Sequence, residues 1–309
     1  MWFIFAIVTT LAWGIADVFY KKGADENDKY SHLKTTMIVG FVMGLHAFGM
    51  LIFSETNYDF RNIIVYLPVS LMYILSMTIG YFGLRYLELS ISSPIQNTSG
   101  AVTTVLCLLV LDQTMDTLSA VAVVSICIGV FLLGVFEKKK QNEYEALENK
   151  KYKIGFVAFL MPILYCIIDS LGTFFDAYYL DDITTTPLLN VTELTFENVA
   201  NISYELTFFI CAIVIFIFLS FVKKEKIVLR QQKDRTLAAV FETLGQFTYV
   251  FALSGTAVVA APMIASYSIV SVLLSRLFLK EKLEKKQYIV IVLVMFGIAL
   301  LGVSEAIAE

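Results

Sequence analysis

Residues 2–22 read WFIFAIVTTLAWGIADVFYKK. Positions 2–16 hold only apolar, aromatic, threonine and glycine residues, and then Asp17 arrives before the run has finished. Lys21 and Lys22 follow directly. A bilayer core about 30 Å thick needs roughly 20 apolar residues per crossing helix, so the stretch reads as a membrane span that ends in cations. Asp17 has two readings. It pairs with Lys21 four residues on, at a helix boundary, or it is a working carboxylate kept at membrane depth.

The rest of the chain has the same character. Of 309 residues, 58% are hydrophobic and 16% charged, and the mean hydropathy is +0.75. A soluble domain has about 45–50% apolar and about 25% charged residues. Ten apolar runs can be drawn, at about 2–20, 35–53, 63–84, 92–111, 118–136, 154–174, 203–222, 236–254, 257–279 and 287–304. They leave no room for a separate soluble domain. No basic stretch precedes the first run and no small-residue cleavage pattern follows it, so a cleaved leader is not expected. Cys107, Cys127, Cys166 and Cys211 fall inside runs at unrelated spacings, which predicts buried thiols rather than a disulfide or metal framework. His32 and His46 are expected to be solvated or packed, and no metal site is expected.

Lysine and arginine orient the spans. With ten helices, 22 of the 23 basic residues fall in the loops on one side, and Arg61 alone falls on the other. The positive-inside rule makes the crowded side cytoplasmic and places both termini outside. The longest outward segment, 175–202, has no Lys or Arg but carries Asp176, Asp181, Asp182, Glu193 and Glu197. It is either a solvated connector or a device that gathers cations near an entrance. Asn190-Val-Thr and Asn201-Ile-Ser within it match the glycosylation acceptor pattern.

The halves repeat. A shift of 168 brings Tyr81 onto Tyr249, Pro94 onto Pro262, Gly129 onto Gly297, and Leu132-Leu133-Gly134-Val135 onto Leu300-Leu301-Gly302-Val303. Near the start of each half the better shift is 152, which puts Trp13 on Tyr165 and Asp17 on Asp169. The long acidic loop absorbs the difference. Five helices per copy is an odd number, so the second copy must insert upside down, the plan of many secondary transporters. The expected fold class is therefore all-α: a polytopic membrane protein of ten transmembrane helices in two inverted five-helix repeats. The expected division is 1–137 for the first repeat, 138–153 for a cytoplasmic linker, and 154–309 for the second repeat with outer loop 175–202.

Three stretches carry a family resemblance. GLRYLELSISSPIQNTSGAVTTVLCLLVLDQTM (83–115) resembles the ALRYTSAS…P signature of the EamA family, in the drug/metabolite transporter superfamily. ALSGTAVVAAPMIASYSIVSVLLSRLFLKEKLEKKQYIVIVLVMFGIALLGV (252–303) resembles its second-half pattern, with the turn Leu279-Lys280-Glu281-Lys282-Leu283 before the last helix. AWGIADVFYKKG (12–23) resembles its first helix. The first-half turn departs from the pattern, reading Leu111-Asp112-Gln113-Thr114-Met115. Family members are commonly drawn with their termini inside, against the lysine count here. The resemblance implies a permease for small organic solutes that works by alternating access without ATP. Across the superfamily the substrates include amino acids, organic cations, sugar phosphates and nucleotide sugars.

An ionised side chain at the bilayer centre costs about 2.5–3.5 kcal/mol on insertion scales, so it usually faces protein or water. Asp17, Asp169 and Glu242 are the candidates. Trp13 lies four residues before Asp17, and Tyr165 four before Asp169, giving each helix one aromatic-then-acid stripe. Asp17 is expected toward the inner end and Asp169 toward the outer end of one path. Aromatic faces beside carboxylates suit an organic cation; alternatively a carboxylate carries a coupling proton. The bland readings are an interfacial acid for Asp169, and for Glu242 a side chain that snorkels to the interface or pairs with Arg235. Glu242, Gln246 and Tyr249 share a face, and Thr78 and Tyr81 form the matching face of the third helix. Pro94 with Asn97, and Pro262 with Tyr267 and Ser271, mark bent helices where the halves cross, unless they serve only in helix packing. Arg276 is expected to snorkel to the surface.

The expected function is a secondary transporter of a small organic metabolite in the plasma membrane, leaning to an organic cation or amine. An amino acid or other zwitterionic metabolite is the alternative, and a non-transporting receptor or scaffold the alternative class. No nucleophile set at membrane depth suggests an enzyme, and no nucleotide-binding loop is present. No cofactor or nucleic acid is expected. The partners are lipid, the solute, and either a coupling proton or an exchanged solute.

Overall fold

The computed structural model describes residues 1–54, 56–148, 152–281 and 283–308, with side chains undescribed at 137–159, 229 and 308. Among the described residues the chain is helix, turn and loop. That is the outcome lipid imposes, because a spanning segment must satisfy its backbone groups within itself. In the first half, α1 (Trp2–Gly23) and α2 (Ser31–Phe53) are followed by a single turn, α3 (Asn62–Val65), which leads into α4 (Leu67–Gly83). Then come two short helices, α5 (Leu89–Gln96) and α6 (Ser99–Val110), and the long α7 (Thr117–Glu148). In the second half α8 (Tyr152–Tyr179), α9 (Phe196–Ile217) and α10 (Lys233–Leu253) precede two short helices, α11 (Ala257–Ala265) and α12 (Tyr267–Leu274), and then α13 (Lys285–Ala308).

Among the described residues, eight stretches are long and apolar enough to cross a membrane. α4 has 17 residues, the lower limit for a span. The fourth apolar run is divided between α5 and α6. Both breaks sit just after a proline. Proline has no N–H to donate and its ring crowds the carbonyl four residues back. The chain turns through Asn97 and Thr98 after Pro94, and through Ser266 after Pro262. Polar side chains add a second bond to carbonyls at each break that also accept a backbone N–H: Asn97 Nδ2 donates to Ser93 O (2.9 Å) and Thr98 Oγ1 to Ile95 O (2.7 Å). In the second half Ser266 Oγ donates to Met263 O (2.5 Å).

Packing joins the halves throughout. α1 lies on α10, and α4 on α8. α2 pairs with α9, and α7 with α13. The broken helices cross head to tail, α5 against α12 and α6 against α11. Two carboxamide or carboxylate side chains cap the broken helices from the opposite half. Glu281 accepts from Leu89 N (3.1 Å) and Ser90 N (3.0 Å), at the start of α5. Gln113 accepts from Val258 N (2.9 Å), at the start of α11, and donates to Asp181 Oδ1 (2.5 Å). The turn that departs from the family pattern thus does the same job with an amide. Asp116 caps α7 through Leu118 N and Ser119 N and takes the Ser304 hydroxyl of α13 (2.8 Å). These donors hold its carboxyl below the usual carboxylate range.

Three expectations need correction: the extent of the outer segment, the Asn201 acceptor pattern and the setting of His46. The outer segment is shorter than 175–202: α8 runs on to Tyr179 and α9 begins at Phe196, because apolar Ala177, Tyr178 and Tyr179 continue the helix past Asp176. Asn201 lies inside α9, fully buried, with Nδ2 donating to Phe247 O (3.2 Å). Its acceptor pattern is therefore closed to glycosylation, whereas Asn190 is in the loop. The segment 138–153 is helical up to Glu148 and again from Tyr152; the side chains of Lys138, Lys139, Lys140, Lys150, Lys151 and Lys153, and Lys282, lie outside the described residues. His46 is neither free nor simply packed. Its Nδ1 sits 2.8 Å from both carboxylate oxygens of Glu205, a fully buried acid of α9.

Replacing a capping side chain by alanine costs about 1 kcal/mol. Glu281→Ala is expected to lower the melting temperature of the detergent-solubilised protein, and Glu281→Gln, which keeps one acceptor oxygen, to lower it less. Equal melting curves for both variants and the parent would show that the cap contributes nothing.

Candidate functional site

Helical spacing brings polar residues of α1, α4, α5, α6, α8, α9, α10 and α12 to one cavity. α1 contributes Trp13, Asp17 and Tyr20; α8 contributes Tyr165, Asp169 and Thr173; α10 contributes Glu242, Gln246 and Tyr249. Each set recurs at three or four residues, one face of a helix. α4 adds Tyr73, Gly80 and Tyr81, and the breaks add Gln96, Asn97 and Tyr267. All ten site residues expected from the sequence, namely Trp13, Asp17, Tyr81, Asn97, Tyr165, Asp169, Glu242, Gln246, Tyr249 and Tyr267, line this one space. About 780 Å³ among these residues is free of protein atoms, the open space at its mouth included.

The acids are held by hydroxyls. Asp17 Oδ2 accepts from Ser93 Oγ of α5 (2.7 Å) and Ser271 Oγ of α12 (2.6 Å). Its sequence neighbour Lys21 instead donates to Leu84 O (2.7 Å) and Leu87 O (2.6 Å), so the i+4 ion pair does not form. Asp169 accepts from Ser99 Oγ (2.8 Å) and, more weakly, Ser76 Oγ (3.5 Å). Glu242 Oε2 accepts from Tyr20 OH (3.3 Å). Arg235 is engaged elsewhere, with Gln232 Oε1 (2.5 Å) and Ser31 Oγ (2.8 Å), so the expected alternative pair with Glu242 is absent. Asp17 and Asp169 face one common cavity, with Glu242 as a third acid in its wall. The interfacial reading of Asp169 does not apply.

The aromatic side chains form a cage. Trp13 packs on Tyr249 with ring centroids 5.0 Å apart and meets Tyr267 edge-on at 5.7 Å. Tyr20 and Tyr81 lie 4.5 Å apart. Two glycines make this possible. A Cβ at Gly245 would lie 2.3 Å from the Trp13 ring, and one at Gly80 would lie 2.8 Å from the Tyr165 ring. Each aromatic of the paired stripes thus rests directly on the backbone of a helix from the other half. Three donors remain open: the Tyr81 hydroxyl, Gln96 Nε2 and Gln246 Nε2 are buried and have no hydrogen-bond partner among the described residues.

Sequence reasoning missed several wall residues. Tyr20, Tyr73, Gln96, Thr173 and Tyr204 also line the cavity. Tyr20 and Thr173 were findable, because each continues an acid-bearing stripe by one turn. Thr78 is misassigned by its face: it bonds Thr36 of α2 (3.0 Å) and turns away from the cavity. Arg276 is exposed as expected and lies over the Tyr288 ring at 5.2 Å.

The profile of the EamA-like transporter family matches residues 1–135 and 202–303. The chain belongs to the EamA-like transporter family. It is accordingly an integral membrane protein of a family that transports small molecules, and not of an enzyme family. A solved protein described only as "Crystal structure of protein" is similar over 96% of this chain and 95% of its own, with a TM-score of 0.64 at 10% identity. That likeness concerns the fold alone. No curated protein matches the chain.

Overpacking a close contact typically costs about 1–3 kcal/mol. Gly245→Ala is expected to push Trp13 off Tyr249 and reduce both melting temperature and solute flux, with Gly80→Ala milder because its contact is longer. A Gly245→Ala protein with unchanged stability and flux would refute this account of the Trp13 seat.

Proposed function

We propose that this transporter moves a small organic cation or amine by alternating access through the central cavity. One observation carries the reading. Asp17, Asp169 and Glu242 share a wall with eight aromatic side chains, Trp13 and seven tyrosines, and no basic side chain lines it among the described residues. Bringing three carboxylates together away from bulk water is costly, and a cationic solute offsets that cost while its alkyl groups rest on ring faces. A second reading has its own support. The open Gln96 and Gln246 donors suit a carboxylate, so a zwitterion such as an amino acid would use both sets of groups.

We further infer ten spans in two inverted five-helix repeats, 1–137 and 154–309, joined by a cytoplasmic linker at 138–153. Reciprocal packing supports it: α1 on α10 answers α8 on α4, while α2–α9 and α7–α13 are pairs of equivalent helices. The breaks agree as well. Shifted by 168, Ser99 at the start of α6 falls on Tyr267 at the start of α12, and Glu281, which caps α5, falls on Gln113, which caps α11. The lysine asymmetry supports termini outside and lysine-rich loops in the cytoplasm of a plasma-membrane protein.

Choline is expected to raise the melting temperature of the solubilised protein more than L-alanine does. In proteoliposomes Asp17→Asn, Asp169→Asn and Glu242→Gln are each expected to reduce choline flux at least tenfold, about 1.4 kcal/mol. Stabilisation by L-alanine with none by choline would favour the zwitterion reading; unchanged choline flux in all three variants would remove the acids from the mechanism. For orientation, a cysteine introduced as Thr192→Cys should label in intact cells, and Lys29→Cys only after permeabilisation. The reverse pattern would invert the topology.

A further inference from the structure

Asp176 stands outside the cavity wall yet is fully buried, near the end of α8 that leads to the 180–195 loop. Asp169, Thr173 and Asp176 are spaced by four and three residues, so they share one face of that helix. The facing stripe of α4 answers each in turn. Ser76 bonds Asp169 (3.5 Å), Tyr73 OH bonds Thr173 Oγ1 (2.9 Å), and the Tyr66 hydroxyl donates to Asp176 Oδ1. Tyr73 OH also bonds Tyr249 OH of α10 at 2.6 Å.

Tyr73, Thr173 and Tyr249 are the last wall residues of their three helices toward the 180–195 loop. Their bonded hydroxyls therefore close that end of the cavity. One acid, Asp169, lies on the cavity side of this layer, and a second, Asp176, lies on the loop side. Asp176 Oδ2 is buried with no hydrogen-bond partner among the described residues. The ionisable groups that face it are Tyr66 from the start of α4, Tyr73 from α4, Tyr204 from α9 and Tyr249 from α10. None is basic. A buried carboxylate charge without a counter-charge costs several kcal/mol, and a bound proton removes that charge and supplies the open oxygen with its own hydrogen.

We propose that Asp176 is a proton-binding carboxyl that exchanges a proton with Asp169 across the Tyr73–Thr173–Tyr249 layer, giving the proton a route the solute does not share. In the step toward the cavity the Asp176 carboxyl, whose Oδ1 is bonded by Tyr66 and whose Oδ2 is open, turns its protonated oxygen to a layer hydroxyl, and its O–H bond breaks as the proton passes to that hydroxyl oxygen. That hydroxyl releases its own proton onward, and a new O–H bond forms on Asp169. The layer regains its composition, one proton has moved in, and one carboxylate charge has moved out. This inference rests on the cavity being the solute site, and it makes the transporter proton-coupled.

The test uses the full chain in liposomes, with choline and L-alanine as probes. Asp176→Asn keeps an acceptor for Tyr66. It is expected to retain counterflow exchange within about twofold of the parent, while accumulation driven by a pH gradient falls at least tenfold; Asp176→Glu is expected to restore it. Accumulation in Asp176→Asn equal to the parent's would overturn the proposal. So would loss of both activities in Asp176→Asn, which would make the residue structural or solute-binding, and so would accumulation driven by a sodium gradient instead of a pH gradient. If neither probe exchanges in the parent, the cavity reading fails for those solutes, and infrared spectroscopy decides Asp176 separately. A protonated-carboxyl stretch present in the parent and missing in Asp176→Asn supports it, and identical spectra refute it.

Discussion

The carboxylate of Asp17 is the contact on which the centre of this protein depends. It draws Ser93 from a broken helix of the first half and Ser271 from a broken helix of the second onto one oxygen. In water such bonds would be replaceable. At membrane depth the alternative is a buried charge without donors, so the acid and the two hydroxyls hold one another. That is why α5 and α12, which belong to different halves, meet at α1. Removing Lys21 from the reach of Asp17 belongs to the same arrangement: the lysine instead closes the carbonyls left open at the α4–α5 turn.

A second constraint follows from the breaks themselves. Interrupting a helix in lipid leaves backbone donors at each new start, and the chain meets them from the opposite half. Glu281 serves two N–H groups at one break, and Gln113 serves one at the other. The carboxylate makes charge-assisted bonds, which are about twice as strong as neutral ones, while the amide spends its second group on Asp181. The two caps are thus alike in place and unequal in strength. On the alternating-access reading proposed above, unequal latches bias the resting state toward one end.

Five acids inside the helix bundle fall into three settings. Asp17, Asp169 and Glu242 line the cavity and are partnered by hydroxyls. Glu205 is paired with His46 between α2 and α9, away from the cavity. Asp176 lies beyond the hydroxyl layer with one oxygen open. Only the first set combines a shared space with aromatic faces, which is why it is the solute site proposed here.

Much of this was legible in the chain itself. Apolar runs of bilayer length, prolines in four of them, and acids in register with aromatics are local patterns, and helical periodicity turns them into faces. Those faces led to all ten wall residues named in advance. Periodicity fails where a pattern is ambiguous about its end or its neighbour. Asp176 reads as loop because acids follow it, yet the helix continues and buries it. Thr78 has the spacing of a wall residue, but α2 claims it. Sequence alone determined that the chain is helical, embedded in lipid and supplied with acids at membrane depth, because those properties follow from composition and spacing along one segment. Only the tertiary structure decided which hydroxyl satisfies which acid, which half caps which break, and that the acids of separate helices face one cavity. Partnership between helices depends on contacts far apart in the chain, which no single segment encodes.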